Sequence, residues 1–188
     1  MAGNVAYPDF HFRRAARHAR AGGVLCYPTE AVFGLGCAPD QLPAIRRILT
    51  LKQRSWAKGL IVIGANPAQL RAFCRLDNNR WQAISAQWPA AKTFVVPKAA
   101  GVSPWLSGDS DSIALRVPAC AHTRALCRYT GALVSTSANP SQRPPARSQL
   151  AARAYFHGQG VYFVPGATAG HLRPSTIVHW QDGHILRS

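Results

Sequence analysis

At 188 residues and 47% hydrophobic composition, the chain has the size and apolar content of one domain able to bury its own core. Twenty-two Lys and Arg against seven Asp and Glu give a formal charge of +15, more than solubility requires, which points to a polyanionic partner such as a nucleic acid or a nucleotide. The longest apolar run, 60–65, is far short of the ~20 residues a membrane span needs, and no signal-peptide order opens the chain, so a cytoplasmic protein is expected.

Residues 9–20 are read as a helix stopped by Gly22 and Gly23, followed by a strand over 24–27 and a loop bearing Gly34 and Gly36. A helix over 41–54 follows, with Pro43 in its first turn and Ile45, Ile48 and Leu49 on one side. Then come a strand at 60–63, helical segments at 67–74 and 78–88, strands at 93–97 and 112–117, a helix at 121–129 and a strand at 133–137. The remainder reads as a helix at 148–156, a strand at 161–164, and a hairpin in which Gln181-Asp182-Gly183 turns 176–180 into 184–187. The pattern is mixed α/β over one domain, 1–188, without repeat or linker. Arg13, Arg14, Arg17 and Arg20 read as a solvated helix face.

Neither standard nucleotide motif is present: Gly34-Leu35-Gly36 lacks the third glycine of a dinucleotide fingerprint, and there is no GxxxxGK[ST]. The seven histidines form no HExxH, the acids are too scattered for a metal cage, and five cysteines without CxxC spacing read as reduced and mostly buried. Three segments place polar groups where strands or helices end. Ser135-Thr136-Ser137-Ala138-Asn139 leaves an apolar strand, where α/β sheets hold ligands, although it also shapes a turn before Pro140. Lys52-Gln53-Arg54 is either a clamp on polyphosphate or a complement to a helix dipole. Arg116, in a strand, faces solvent or takes a ligand carboxylate. Such an inventory, rich in cations and hydroxyls and without a nucleophile–base pair, favours chemistry by positioning and charge neutralisation, as in nucleotidyl transfer.

YPTEAVFGLGC at 27–37, LKQR at 51–54 with KGLIVI at 58–63, SIALRVP at 112–118, STSANPS at 135–141 and PSTIV at 174–178 occur in one order along nearly the whole chain. This ordered set resembles the YrdC-like (TsaC) threonylcarbamoyl-AMP synthases, in their short single-domain form. The resemblance implies a twisted mixed α/β sheet around a large basic concave cavity. It implies a nucleotidyltransferase that converts L-threonine, bicarbonate and ATP to threonylcarbamoyl-AMP and pyrophosphate, opening the route to threonylcarbamoyladenosine beside the tRNA anticodon. Mg²⁺ would accompany ATP, and TsaB-, TsaD- and TsaE-type proteins would complete transfer to tRNA.

By the same resemblance Thr29, Arg116 and Ser175 contact threonine, and Ser112 and Arg187 the nucleotide. Lys52, Arg54 and Lys58 neutralise the triphosphate, and Ser137 and Asn139 join Lys52 and Arg54 as nucleotide-binding and catalytic groups. Glu30, the chain's only glutamate, is read as orienting the substrate amine, balancing a neighbouring cation or capping the loop, with the first expected. The sequence departs from the family pattern at Gln142, where glycine is frequent, at Ala90-Ala91-Lys92, where Lys92 would add charge near the cavity, and at Ile63, where long forms carry histidine. The rival reading is a basic RNA-binding module without catalysis. A hydrogenase-maturation homologue, a carbamoyl-adenylate former with added domains, is a third.

Overall fold

The computed structural model describes residues 9–187. Helix α1 (Asp9–Arg20) buries Phe12, Ala15, Ala16 and Ala19 along one side and exposes Arg13, Arg14, Arg17 and Arg20, the amphipathic arrangement its spacing predicts. It ends where Gly22 takes φ 76°, and β1 (Val24–Pro28) follows, buried throughout.

The segment expected as a glycine-bearing loop contains a strand, β2 (Phe33–Gly36), paired antiparallel with β1. Phe33 and Leu35 alternate into the core, whereas Gly36 meets a wall: a Cβ there would lie 2.1 Å from the Val134 carbonyl and 2.8 Å from the Tyr27 hydroxyl. Glycine here permits close approach of neighbouring strands rather than a turn.

Helix α2 (Leu42–Lys52) stops two residues before the expected limit. Gln53 takes a left-handed φ of 50°, and the N–H groups of Gln53 and Arg54 close onto the Thr50 and Leu49 carbonyls, ending the helix and turning Arg54 away from its axis. A 3₁₀ turn, Trp56–Lys58, leads to β3 (Ile61–Ile63), and 67–74 is also 3₁₀, over Pro67–Phe73. Asp77 caps α3 (Asn78–Ser85), which is shorter than expected. After β4 (Lys92–Pro97) comes a one-turn helix with no sequence precedent, α4 (Pro104–Ser107). The remaining elements lie within one residue of their expected limits: β5 (Ser112–Arg116), α5 (Ala121–Thr130), β6 (Leu133–Ser137), α6 (Gln149–Phe156), β7 (Val161–Phe163), β8 (Thr176–His179) and β9 (Ile185–Arg187).

The strands form one mixed nine-stranded sheet in the order β7-β1-β2-β6-β3-β5-β4-β8-β9. Successive side chains enter opposite layers. Val24, Cys26, Val62 and Val134 pack with Ile45, Ile48 and Phe156, while Leu25, Tyr27, Ile63 and Leu133 pack with Phe12 and Leu126. Each large side chain so buried contributes roughly 1.5–3 kcal/mol. On the second face α1 and α5 cover the β1 end. The β5-β4-β8-β9 end of that face carries the cavity described next.

Candidate active site

A cavity of about 420 Å³ opens over this half of the sheet. Its floor follows from register: Ile61 lies opposite Ala114, Ala114 opposite Val95, and Ile177 opposite Arg187, so side chains from five adjacent strands share one face. Along β5 the alternation is plain. Ser112, Ala114 and Arg116 face the cavity, while Ile113 and Leu115 are buried in the core behind.

Of the ten ligand-contacting and catalytic residues that the family resemblance implied, eight line this space: Thr29, Arg54, Lys58 and Ser112, together with Arg116, Ser137, Ser175 and Arg187. Arg54 is held in place by its own turn, its Nη2 donating to the Gly59 carbonyl at 3.0 Å and the Lys58 carbonyl at 3.5 Å. Gly59 has φ 60°, and a Cβ on it would press within 2.9 Å of the Ser107 carbonyl, so glycine seats the Lys58 turn against α4. Burial lowers the pKa of Arg54. Arg187, returned over the cavity by the β8–β9 hairpin, donates through Nη2 to the Ser175 carbonyl at 2.9 Å and to Ser175 Oγ at 3.3 Å. Its pKa is lowered by burial first and then by the charges of Arg116 and Arg54, so three guanidiniums share one field.

Lys52 and Asn139 do not line the cavity. The Lys52 ammonium lies behind its wall, donating to the Ser137 carbonyl, to the Asn139 carbonyl at 2.8 Å and to Asn139 Oδ1 at 3.4 Å. Burial, and then the charge of Arg54, lower its pKa to about 8. Asn139 donates onward to the Pro140 and Arg143 carbonyls. The two residues thus fix the strand end from which Ser137 faces the cavity. Gln142, in the same loop, adopts φ 65°, the conformation that glycine would take without strain.

Thr29 Oγ1 donates to the Val32 carbonyl at 2.7 Å, which bends the chain between β1 and β2. Ser175 Oγ lies 3.3 Å from Thr93 Oγ1, and both residues are buried. Sequence reasoning had not singled out Thr93, yet its place in β4 two residues before Val95 puts it on the cavity face. Ser107 and Ser110 also line the cavity and came from a segment without periodic signal. Lys92 is turned elsewhere: its ammonium bonds Gln87 Oε1 at 2.7 Å and stacks on Phe94, so it adds no charge to the cavity wall.

Among the described residues Glu30 is the only carboxylate on that wall. Its Oε1 accepts the Ala119 N–H at 2.8 Å, and its Oε2 lies 3.5 Å from Arg116 Nη1. Among the described residues no group of three His, Cys, Asp or Glu could hold a metal ion, and no helix is long and apolar enough to cross a membrane. All five cysteines are buried and unpaired, and burial raises the Cys26, Cys37 and Cys127 thiols to about 12, which leaves them unreactive.

The family model described as "Telomere recombination", that of the Sua5, YciO and YrdC proteins, matches residues 17–188. The chain belongs to this family. Over 185 residues it is 44% identical to a protein of Nitrosococcus oceani named threonylcarbamoyl-AMP synthase, covering 97% of this chain and 100% of that one. A protein of the same name from Halorhodospira halophila is 44% identical over 180 residues, covering 95% and 94% respectively. Among solved structures, P. abyssi Sua5 complexed with L-threonine superposes with a TM-score of 0.83 at 27% identity, over 93% of this chain and 52% of that longer one. E. coli YciO, at 21% identity and a TM-score of 0.84 over 97% of this chain and 91% of its own, shares the fold. Family membership and the twisted mixed sheet agree with the expectation from the ordered motifs.

Proposed function

We propose that this chain is an L-threonylcarbamoyladenylate synthase, a nucleotidyltransferase using L-threonine, bicarbonate and ATP. The observation that carries the reading is the sharing of one cavity by Arg54, Lys58 and Arg187 with Arg116 and its flanking hydroxyls, an arrangement suited to holding two anions side by side. The relatives named threonylcarbamoyl-AMP synthase, and the P. abyssi neighbour complexed with L-threonine, support the same assignment.

Arg116 takes the threonine carboxylate, with Thr29 and Ser175 completing the contacts to the amino acid. The amine combines with carbon dioxide, formed from bicarbonate with loss of water, and gives a carbamate. A carbamate oxygen then attacks the α-phosphorus, the bond from that phosphorus to the bridging oxygen breaks, and pyrophosphate leaves with the electron pair. Arg54, Lys58 and Arg187 neutralise the triphosphate in a partly desolvated site, where charge stabilisation is strongest. Ser112 and Ser137 contact the nucleotide, and Lys52 and Asn139 hold Ser137 in place. Mg²⁺ enters as part of the MgATP substrate.

Exposed cations on α1 favour tRNA as an additional partner, with TsaB-, TsaD- and TsaE-type proteins carrying out the transfer that follows. The decisive experiment measures pyrophosphate release by purified protein. Release that requires threonine, bicarbonate and MgATP together is the expected result. Release without threonine, or no release alongside salt-sensitive tRNA binding, would replace the synthase with a different activity or with an RNA-binding module.

A further inference from the structure

Among the described residues the cavity wall carries four cationic side chains and a single acid, Glu30. Glu30 is 1% exposed; its Oε1 accepts the Ala119 N–H at 2.8 Å, and its Oε2, which has no hydrogen-bond partner, forms an ion pair with Arg116 Nη1 at 3.5 Å. The backbone beneath it is tied down as well: the Glu30 carbonyl accepts the His171 N–H and the Thr29 carbonyl accepts the Ala169 N–H, each at 3.0 Å. Arg116 is buried too, at 6% exposure, and its Nε has no hydrogen-bond partner. A carboxylate so anchored acts on ligands through Arg116.

We propose that Glu30 is a positioning residue that zones the cavity, holding the Arg116 fork for a single carboxylate and keeping polyphosphate at the Arg54, Lys58 and Arg187 end. The inference rests on the synthase reading above. A site that binds an amino acid beside ATP must stop the more highly charged ligand from taking every cation. One fixed negative charge accomplishes this because Coulomb repulsion scales with ligand charge: a triphosphate is opposed several times more strongly than a lone carboxylate. The amino acid is compensated by geometry, since Arg116 with Nη1 engaged is presented in one orientation. Glu30 therefore favours threonine and disfavours polyphosphate at the same place.

Calorimetric titration of the full-length protein, separately with L-threonine and with inorganic tripolyphosphate, tests this in the wild type, Glu30→Gln and Glu30→Asp. Glu30→Gln should weaken threonine about tenfold and tighten tripolyphosphate about threefold, opposite movements that a general loss of structure cannot produce. Glu30→Asp keeps the charge but shortens the reach to Arg116. It should weaken threonine while leaving tripolyphosphate within about twofold, and it decides the matter alone should Glu30→Gln fail to fold. Both ligands weakening together, or threonine affinity unchanged in the variants, overturns the zoning role while leaving the synthase reading intact. Wild-type protein that binds tripolyphosphate but no threonine removes the synthase reading and the zoning with it.

Discussion

Lys52 and Arg54 stand two residues apart in sequence and read alike as phosphate ligands, yet the left-handed residue between them sends them to different places. Arg54 enters the cavity, and Arg54→Ala should lower pyrophosphate release at least about 100-fold, with the unfolding midpoint nearly unchanged because the side chain bonds only its own turn. Lys52 is a buried cation among carbonyls, with a pKa drawn from 10.5 to about 8 by burial and then by Arg54. Between those values the unfolded chain still holds the proton that the folded protein has released, so stability rises with pH across the window. From pH 7.5 to 9 the wild type should gain about 1 kcal/mol relative to Lys52→Met in urea unfolding. Above that range the buried thiols, whose folded pKa values are raised, act in the opposite direction. A flat difference across the window would show that Lys52 is already neutral or solvated at pH 7.5.

Periodicity made most elements legible, because alternation in 112–116 and spacing in 42–52 report burial directly. β2 was not legible. Two glycines in four residues read as loop, although Phe33 and Leu35 carry the alternation of a strand, and only the neighbouring Val134 carbonyl explains why Gly36 has no side chain. Gly36→Ala should therefore separate β2 from β6 and cost about 3 kcal/mol or more, visible as a lowered denaturation midpoint. Gln53 gives the contrary case. Its φ of 50° strains a non-glycine residue whose side chain hydrogen-bonds no other described residue, while its carbonyl receives the Ser141 hydroxyl at 2.9 Å. Gln53→Gly keeps that backbone contact and should raise stability by about 0.5–1 kcal/mol.

At the scale of the whole molecule, the site exists because β4 pairs with β8 in parallel and the following hairpin returns Arg187 to Ser175, bringing the end of the chain beside Thr29 and Arg116. No local pattern announces that closure, and only the ordered motifs of the family pointed to it. The same scale decides where the formal charge of +15 acts. A cavity of about 420 Å³ admits a nucleotide but no folded RNA, so the tRNA partner proposed above would meet cations outside it, of which Arg13, Arg14 and Arg17 form an exposed row on α1. Replacing these three with Gln should leave pyrophosphate release within about twofold while weakening tRNA retention about tenfold or more. The slope of log affinity against log salt should fall by up to about 3, close to one for each phosphate contact removed. Arg54→Ala should give the reverse, retaining tRNA and losing turnover. Equal tRNA affinity and slope in the triple variant would move the RNA contact away from α1.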